Sequence, residues 1–208
     1  MNHYGKIKNI KESEEGTTLT ILIPGENLLD KIIRTQTYDT ELMLNDGRTI
    51  SIDQRKKIYA TIRDIADYRG EVPEWYKEFL KYDYCIENGV DIFSLSNCSL
   101  ETARNFITHI IEYALKEDIP LMDLAINRVE DIDRYLYNCI KHRRCCLCGK
   151  PADIHHEDAI GMGNDRTTYD DSEHKKIALC RTHHSEAHQI GVVDFYNKHH
   201  VYGIICNE

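Results

Sequence analysis

The chain has 208 residues, 41% hydrophobic and 29% charged, the balance of a globular protein with room for one large domain or two to three small ones. No apolar run reaches the roughly 18 residues of a membrane span, and the opening MNHYGKIKNIKESEEG lacks the apolar core of a secretory signal, so action where the chain is made is expected. A formal net charge of −9 argues against broad affinity for duplex DNA, which comes from neutralised phosphates.

Residues 1–50 read as β-rich. TTLTILIPG is a strand with a proline-glycine stop, NLLDKIIRTQ a short amphipathic helix, and TELMLNDGRTIS an alternating strand followed by the Asp46-Gly47 turn signal. Residues 51–140 read as helical. Ser51 and Gln54 match a capping box, and Ile58, Ile62 and Ile65 form a stripe that ends near Gly70. Pro73 opens a second helix carrying Trp75, Phe79 and Leu80. Ser99 caps a third, with a broad apolar face from Leu100 to Ala114, and Val129, Ile132, Leu136 and Ile140 mark a fourth. All these stripes are read as core. The composition changes at KHRRCCLCGK, where a third region, 141–208, begins. The fold class is therefore α+β: a small β-rich element, a helical middle and a C-terminal region rich in Cys and His. Residues 51–140 carry most of the acidity, 11 Lys and Arg against 17 Asp and Glu, whereas residues 141–208 carry 9 against 10.

Eight cysteines in a chain of this length, with no secretory signal, do not suggest a disulfide framework. Cys85, Cys98, Cys139 and Cys206 are scattered and read as small hydrophobes. Cys145-x-x-Cys148 followed by Gly149 has the spacing and turn of a zinc knuckle, and Cys180-x-x-His183 is its complement. Together they form a Cys3His set, typical of structural Zn2+, which would staple a segment too small for a good core. Cys146 competes for a ligand place but lacks the two-residue separation from Cys148.

His155, His156, His184 and His188 remain. ADIHHEDAI reads as a strand, KKIALC as another and THHSEAHQIG as a helix on which His184 and His188 share one face. Two strands and a helix with histidines between them can hold a second ion with open positions. Lys141, Arg143 and Arg144 before the knuckle, with Arg166 in GMGNDR, are candidate phosphate contacts. His174, His199 and His200 have no evident partners and read as loop and tail residues.

CCLCG…DIHHEDAIGMG…IALCRTHHSEAH resembles the HNH (ββα-metal) endonuclease motif in its zinc-stapled form, over about residues 141–200. The resemblance implies that His156 is the general base and that His155, His184 and His188 hold a catalytic Mg2+ or Mn2+. The family's middle Asn falls at Lys175, which cannot orient the base as Asn does but can bind phosphate as a point charge. Asn164 is a substitute with a poor match in position.

ISIDQRKKIYATIRDIADYRG and SLETARNFITHIIEYALKEDIPL look like the NinB (Orf) family of phage recombination proteins, with Gln54 and Arg55 matching its early helix. The whole layout is similar to HNH nucleases encoded in recombination modules of phages and prophages of Gram-positive bacteria. This resemblance implies action in the cytoplasm of a bacterial host on recombination or replication intermediates, with DNA and single-strand-binding protein as partners and a homodimer as the assembly. The rival readings are a non-catalytic DNA- or partner-binding accessory protein, in which Lys175 marks lost activity, and a zinc-dependent adaptor or inhibitor acting through residues 51–140.

Overall fold

A computed structural model describes residues 5–23, 28–36, 47–157 and 174–206. Strands β1 (Lys6–Ser13) and β2 (Gly16–Leu22) pair antiparallel as a hairpin that contributes no buried side chain to the core. The short helix α1 (Leu29–Thr35) follows. The expected TELMLNDGRTIS strand lies largely outside the described residues. What is described of it pairs with the approach to a later helix, Ile50 N–H donating to Cys98 O (2.8 Å) and Leu100 N–H to Arg48 O (3.0 Å).

Helix α2 (Ile52–Arg69) starts at Ser51 with the full capping box and ends at Gly70 in the left-handed conformation (φ 73°) that glycine adopts without strain. Its stripe of Ile58, Ile62 and Ile65 is buried against α3 (Pro73–Asn88) and α4 (Leu100–Lys116). Each of those side chains contributes about 1.5–3 kcal/mol through burial, and Ile62→Ala would cost about 2–5 kcal/mol. Gln54, 2% exposed, does more than cap its own helix: its Nε2 donates to Leu100 O (3.1 Å) and to Glu130 Oε2 (2.7 Å). Arg55 donates to Leu95 O and Ser96 O, both at 3.0 Å. Both residues therefore hold the helical layer together.

On α3 the buried side chains are Tyr76, Leu80 and Tyr84, spaced by four, together with Cys85, while Trp75 is 55% exposed and stacks on the partly exposed Phe79 (5.3 Å between centroids). Of the expected core residues on this helix, Leu80 is fully buried, whereas Trp75 and Phe79 face outward and Tyr76 and Tyr84 flank Leu80 in the core instead. Arg128, buried in the loop after α4, bonds Thr61 (3.0 Å) and pairs with Asp64 (2.7 Å) and Asp123. Asp131 caps α5 (Ile132–Lys141), which packs on α4 and also on the C-terminal sheet.

That sheet is antiparallel, in the order β3 (Asp153–His156), β4 (Lys175–Leu179), β5 (Ile204–Ile205). The register sets His155 opposite Ile177 and His156 opposite Lys176. Helix α6 (Arg181–Ile190) lies against β4, and α7 (Val192–His199) folds back on α6 with Phe195 fully buried. Buried residues from Ile50 to Val201 form one contiguous cluster, and α5 is the shared element. Mixed helices and small sheets make the chain α+β.

Candidate metal centres and active site

Arg144 and Pro151 bridge across the knuckle, Cys145 N–H donates to Lys150 O (2.8 Å), and Gly149, at φ 70°, returns its N–H to Cys145 O (2.8 Å). The tight turn holds the two sulfurs of Cys145 and Cys148 on one side. Cys180 stands at the N-cap of α6, and His183 is on its first turn. Cys145 Sγ and Cys180 Sγ lie 3.2 and 3.3 Å from His183 Nδ1, and Cys148 Sγ lies 3.7 Å from Cys180 Sγ. Zn–S bonds of about 2.3 Å and a Zn–N bond of about 2.0 Å put tetrahedral corners about 3.5–3.8 Å apart, so the four donors fit such an ion. The donor chemistry agrees. Burial, with Cys145 and Cys180 close by, pushes the Cys148 thiol up to about 12, whereas the Cys180 thiol, although burial would raise it, is lowered by the His183 backbone N–H and the neighbouring thiols. Clustered sulfurs ionise together only around a cation. Cys146, fully buried, donates its N–H to Ala178 O (3.1 Å) and lies outside this set.

The second group is His155, His184 and His188, whose ligand atoms all lie within 4.8 Å of one another. Strand β3 points His155 at α6, where its ring meets those of His184 (4.7 Å) and His188 (5.0 Å). His184 and His188, one turn apart, bring their Nε2 atoms to 3.2 Å. Nitrogens sharing a metal at about 2.1 Å are separated by about 3.0–3.4 Å. His155 is 3% exposed and its buried Nε2 has no hydrogen-bond partner. Burial, then repulsion from His184, His188 and His156, holds its pKa down to about 4, so the ring offers a lone pair at neutral pH. His184 is lowered too, by burial first and then by His188. The group therefore fits a divalent ion.

Strand alternation places His156 on the opposite face of β3 from His155, beside Lys176. Lys175 opens β4; it is 55% exposed at the side chain, with Nζ 3.9 Å from Glu157 Oε2.

A family model described as "Putative HNHc nuclease" matches residues 26–207. The chain belongs to this HNH nuclease family. Comparison with curated proteins and with solved structures gives no match. The match runs through α2–α5 as well as the Cys- and His-rich region, so the helical layer is part of the family's unit. Membership carries nuclease activity as the activity of the family, and both donor clusters fall within the matched residues: His155 on β3, His183, His184 and His188 on α6, Cys180 at its N-cap, and Cys145 and Cys148 in the turn before β3.

The basic residues of this HNH nuclease are less free than their sequence suggests. Lys141 Nζ is 2.7 Å from Glu112, and Arg144 pairs with Asp118 at 2.6 Å. Arg143 is exposed, with a left-handed backbone (φ 53°). Arg166 and Asn164 lie outside the described residues.

Several residues near the site escaped the sequence reading. His199 is not a bare tail residue: its Nε2 lies 3.2 Å from Glu186 Oε1, and its ring packs on Phe195 (4.7 Å) and near His183 (5.8 Å). It thereby braces a donor of the first cluster. Glu157 Oε2 and Tyr196 Oη are buried without hydrogen-bond partners beside Gly203, where a Cβ would stand 2.9 Å from Tyr196 Oη and 3.3 Å from Glu157 Oε2. The Glu157 position was visible in the HHE run, but nothing local announced that α7 would supply a tyrosine.

Proposed function

We propose that this HNH nuclease is a DNA endonuclease in which His156 accepts a proton from the attacking water, while a divalent ion, Mg2+ or Mn2+, is held by His155, His184 and His188. Cys145, Cys148, Cys180 and His183 hold a structural Zn2+ that takes no part in the chemistry. The observation that carries this reading is the buried His155 set between His184 and His188 beside a closed Cys3His shell.

The water oxygen forms a new P–O bond, the bond to the departing sugar oxygen breaks, and the water proton passes to a ring nitrogen of His156. The ion, when bound, supplies Lewis-acid charge to the phosphate and the departing oxygen. His155 contributes a rigid nitrogen, because its ring is packed between two others and excluded from water. Lys175, Arg143 and Arg166 are the proposed phosphate contacts; Lys141 and Arg144 join them by exchanging Glu112 and Asp118 for phosphate.

The net charge of −9 and these internal ion pairs support a structured substrate, such as a recombination or replication intermediate, over random duplex. The phage recombination setting, the NinB-like role of residues 51–140, a bacterial cytoplasmic location, single-strand-binding protein as partner and a homodimer rest on the sequence resemblance. A non-catalytic accessory role is the second reading, favoured by Lys175 at the place of the family's Asn and by its approach to Glu157.

Cleavage of duplex, single-stranded and branched DNA with Mg2+ or Mn2+ tests the proposal. Removing the base costs about 10²–10⁴-fold, so His156→Ala should be slower than wild type by that factor while remaining folded. Equal cleavage by the two proteins would reject His156 as the base, and no cleavage by either, with the zinc shell filled, would support the accessory role.

A further inference from the structure

Asp83 and Glu87 stand one turn apart on α3 and face His109 of α4. His109 Nε2 is 3.2 Å from Asp83 Oδ2, and its Nδ1 is 3.4 Å from Glu87 Oε2. The ring is 7% exposed, and its buried Nε2 has no hydrogen-bond partner although a carboxylate faces it. A neutral imidazole carries one N–H for two nitrogens. With a carboxylate at each, one contact sets lone pair against lone pair. An imidazolium would donate to both, but burial disfavours the charge and outweighs the pull of Glu87, Asp83 and Glu112. A cation removes the conflict by accepting one ring nitrogen and both carboxylates.

We propose that Asp83, Glu87 and His109 form a third metal site, for a first-row divalent ion such as Zn2+ or Mn2+, that clamps α3 to α4. One nitrogen and two carboxylates suit such ions, and the three ligand atoms already lie within 4.8 Å of one another. Carboxylates at i and i+4 share a helix face, so the facing helix need supply only one ligand. Tyr84 and Phe106 set the ring's orientation, at 5.5 and 6.4 Å between centroids. Side-chain exposures of 38% for Asp83 and 60% for Glu87 let the ion enter without unfolding and leave positions for water. Glu112, which also faces His109, is engaged by Lys141 and His142 and stays outside the shell. None of the three belongs to the Cys3His or three-histidine groups, so the site does not depend on the nuclease reading.

Zn2+ binding to the full-length protein tests it, measured by equilibrium dialysis with elemental analysis on wild type, His109→Gln, Glu87→Gln, His184→Ala and the double variant Glu87→Gln/His184→Ala. Glu87→Gln and His109→Gln should each weaken one zinc equivalent at least tenfold. His184→Ala should weaken a different equivalent, and the double variant both. Glu87→Gln alters an exposed side chain and keeps its shape, so it decides the matter even where His109→Gln fails to fold. Unchanged zinc affinity and stoichiometry in a folded Glu87→Gln protein would overturn the proposal.

Discussion

The Tyr135 hydroxyl donates to the backbone carbonyl of Cys146 at 2.8 Å, in the buried joint between α5 and the cysteine knuckle. Tyr135 is 2% exposed, and burial raises its phenol far above the usual range, so it stays a donor at any working pH. Through this bond the helical layer fixes the height of the knuckle over β4. Tyr135→Phe leaves that carbonyl buried without its partner, at a cost of about 1–3 kcal/mol. Thermal melting should show a midpoint lower by several degrees with zinc retained; an unchanged midpoint would mean that water or repacking replaces the bond.

Adjacent cysteines should behave differently. Cys145→Ala removes a donor from the Cys3His group, and structural zinc sites of this kind contribute on the order of 10 kcal/mol to folding. Loss of one zinc equivalent and of ordered structure in the knuckle, β4 and α6 is expected. Cys146→Ala leaves the donors in place and removes only a buried sulfur, with a cost of about 1–3 kcal/mol and full zinc content. Zinc analysis with circular dichroism separates the two. Zinc loss in Cys146→Ala alone would mean that the pair is read in the wrong order.

Local signals were legible where one short segment carries its own physics. The Ser51–Gln54 box, the Ser99 cap and the Gly70 stop are each complete within a few residues, and they stand where the pattern placed them. The two donor clusters were legible because CxxC, CxxH and the helical His184–His188 pair fix spacing before any tertiary contact forms. Strand β1 was missed: KIKNIKES is charged along its length and exposed throughout, so no buried face marks it. On α3 hydrophobicity pointed to Trp75, Phe79 and Leu80; Leu80 is in the core, but its buried neighbours on that face are Tyr76 and Tyr84, and Trp75 and Phe79 stay exposed. The Asp83, Glu87 and His109 cluster joins two helices, and His199 meets Glu186 from a neighbouring helix; pairings of this kind exist only after packing.

Glu112 pairs with Lys141, one of the proposed phosphate contacts, so its charge bears on stability and, on the proposed function, on DNA affinity. Burial would raise its carboxyl, but hydrogen bonds from Lys141 and His142 outweigh that and hold it below the ordinary value of 4.5. A depressed carboxyl stabilises the fold above its unfolded pKa, and that contribution fades as pH falls through the lower folded value. Urea melts of wild type and Glu112→Gln should differ most above about pH 5 and converge in stronger acid. The same substitution releases Lys141, so DNA affinity should rise and the salt slope should steepen by about 0.9 for one added phosphate contact. A pH-independent difference would refute the ion-pair account, and an unchanged slope would exclude Lys141 from the interface.

Lys175 stands where the sequence resemblance implies Asn, and its surroundings bear on its proposed role as a phosphate contact. Its Nζ is 3.9 Å from Glu157 Oε2, too far for a hydrogen bond, and the side chain is 55% exposed. Such a lysine can swing to a phosphate, and its loss then weakens substrate in ground state and transition state alike. Lys175→Ala should raise KM, leave kcat within a few-fold, and reduce the salt slope by about 1. Glu157 would lose its nearby cation, so Lys175→Ala/Glu157→Gln should recover part of any stability lost. Lys175→Asn, short and polar, can brace the strand end without the charge, and it should keep kcat while sharing the KM defect. A fall in kcat of about 10²-fold or more in Lys175→Ala, with KM unchanged, would place the lysine in the transition state and reject the phosphate-contact account.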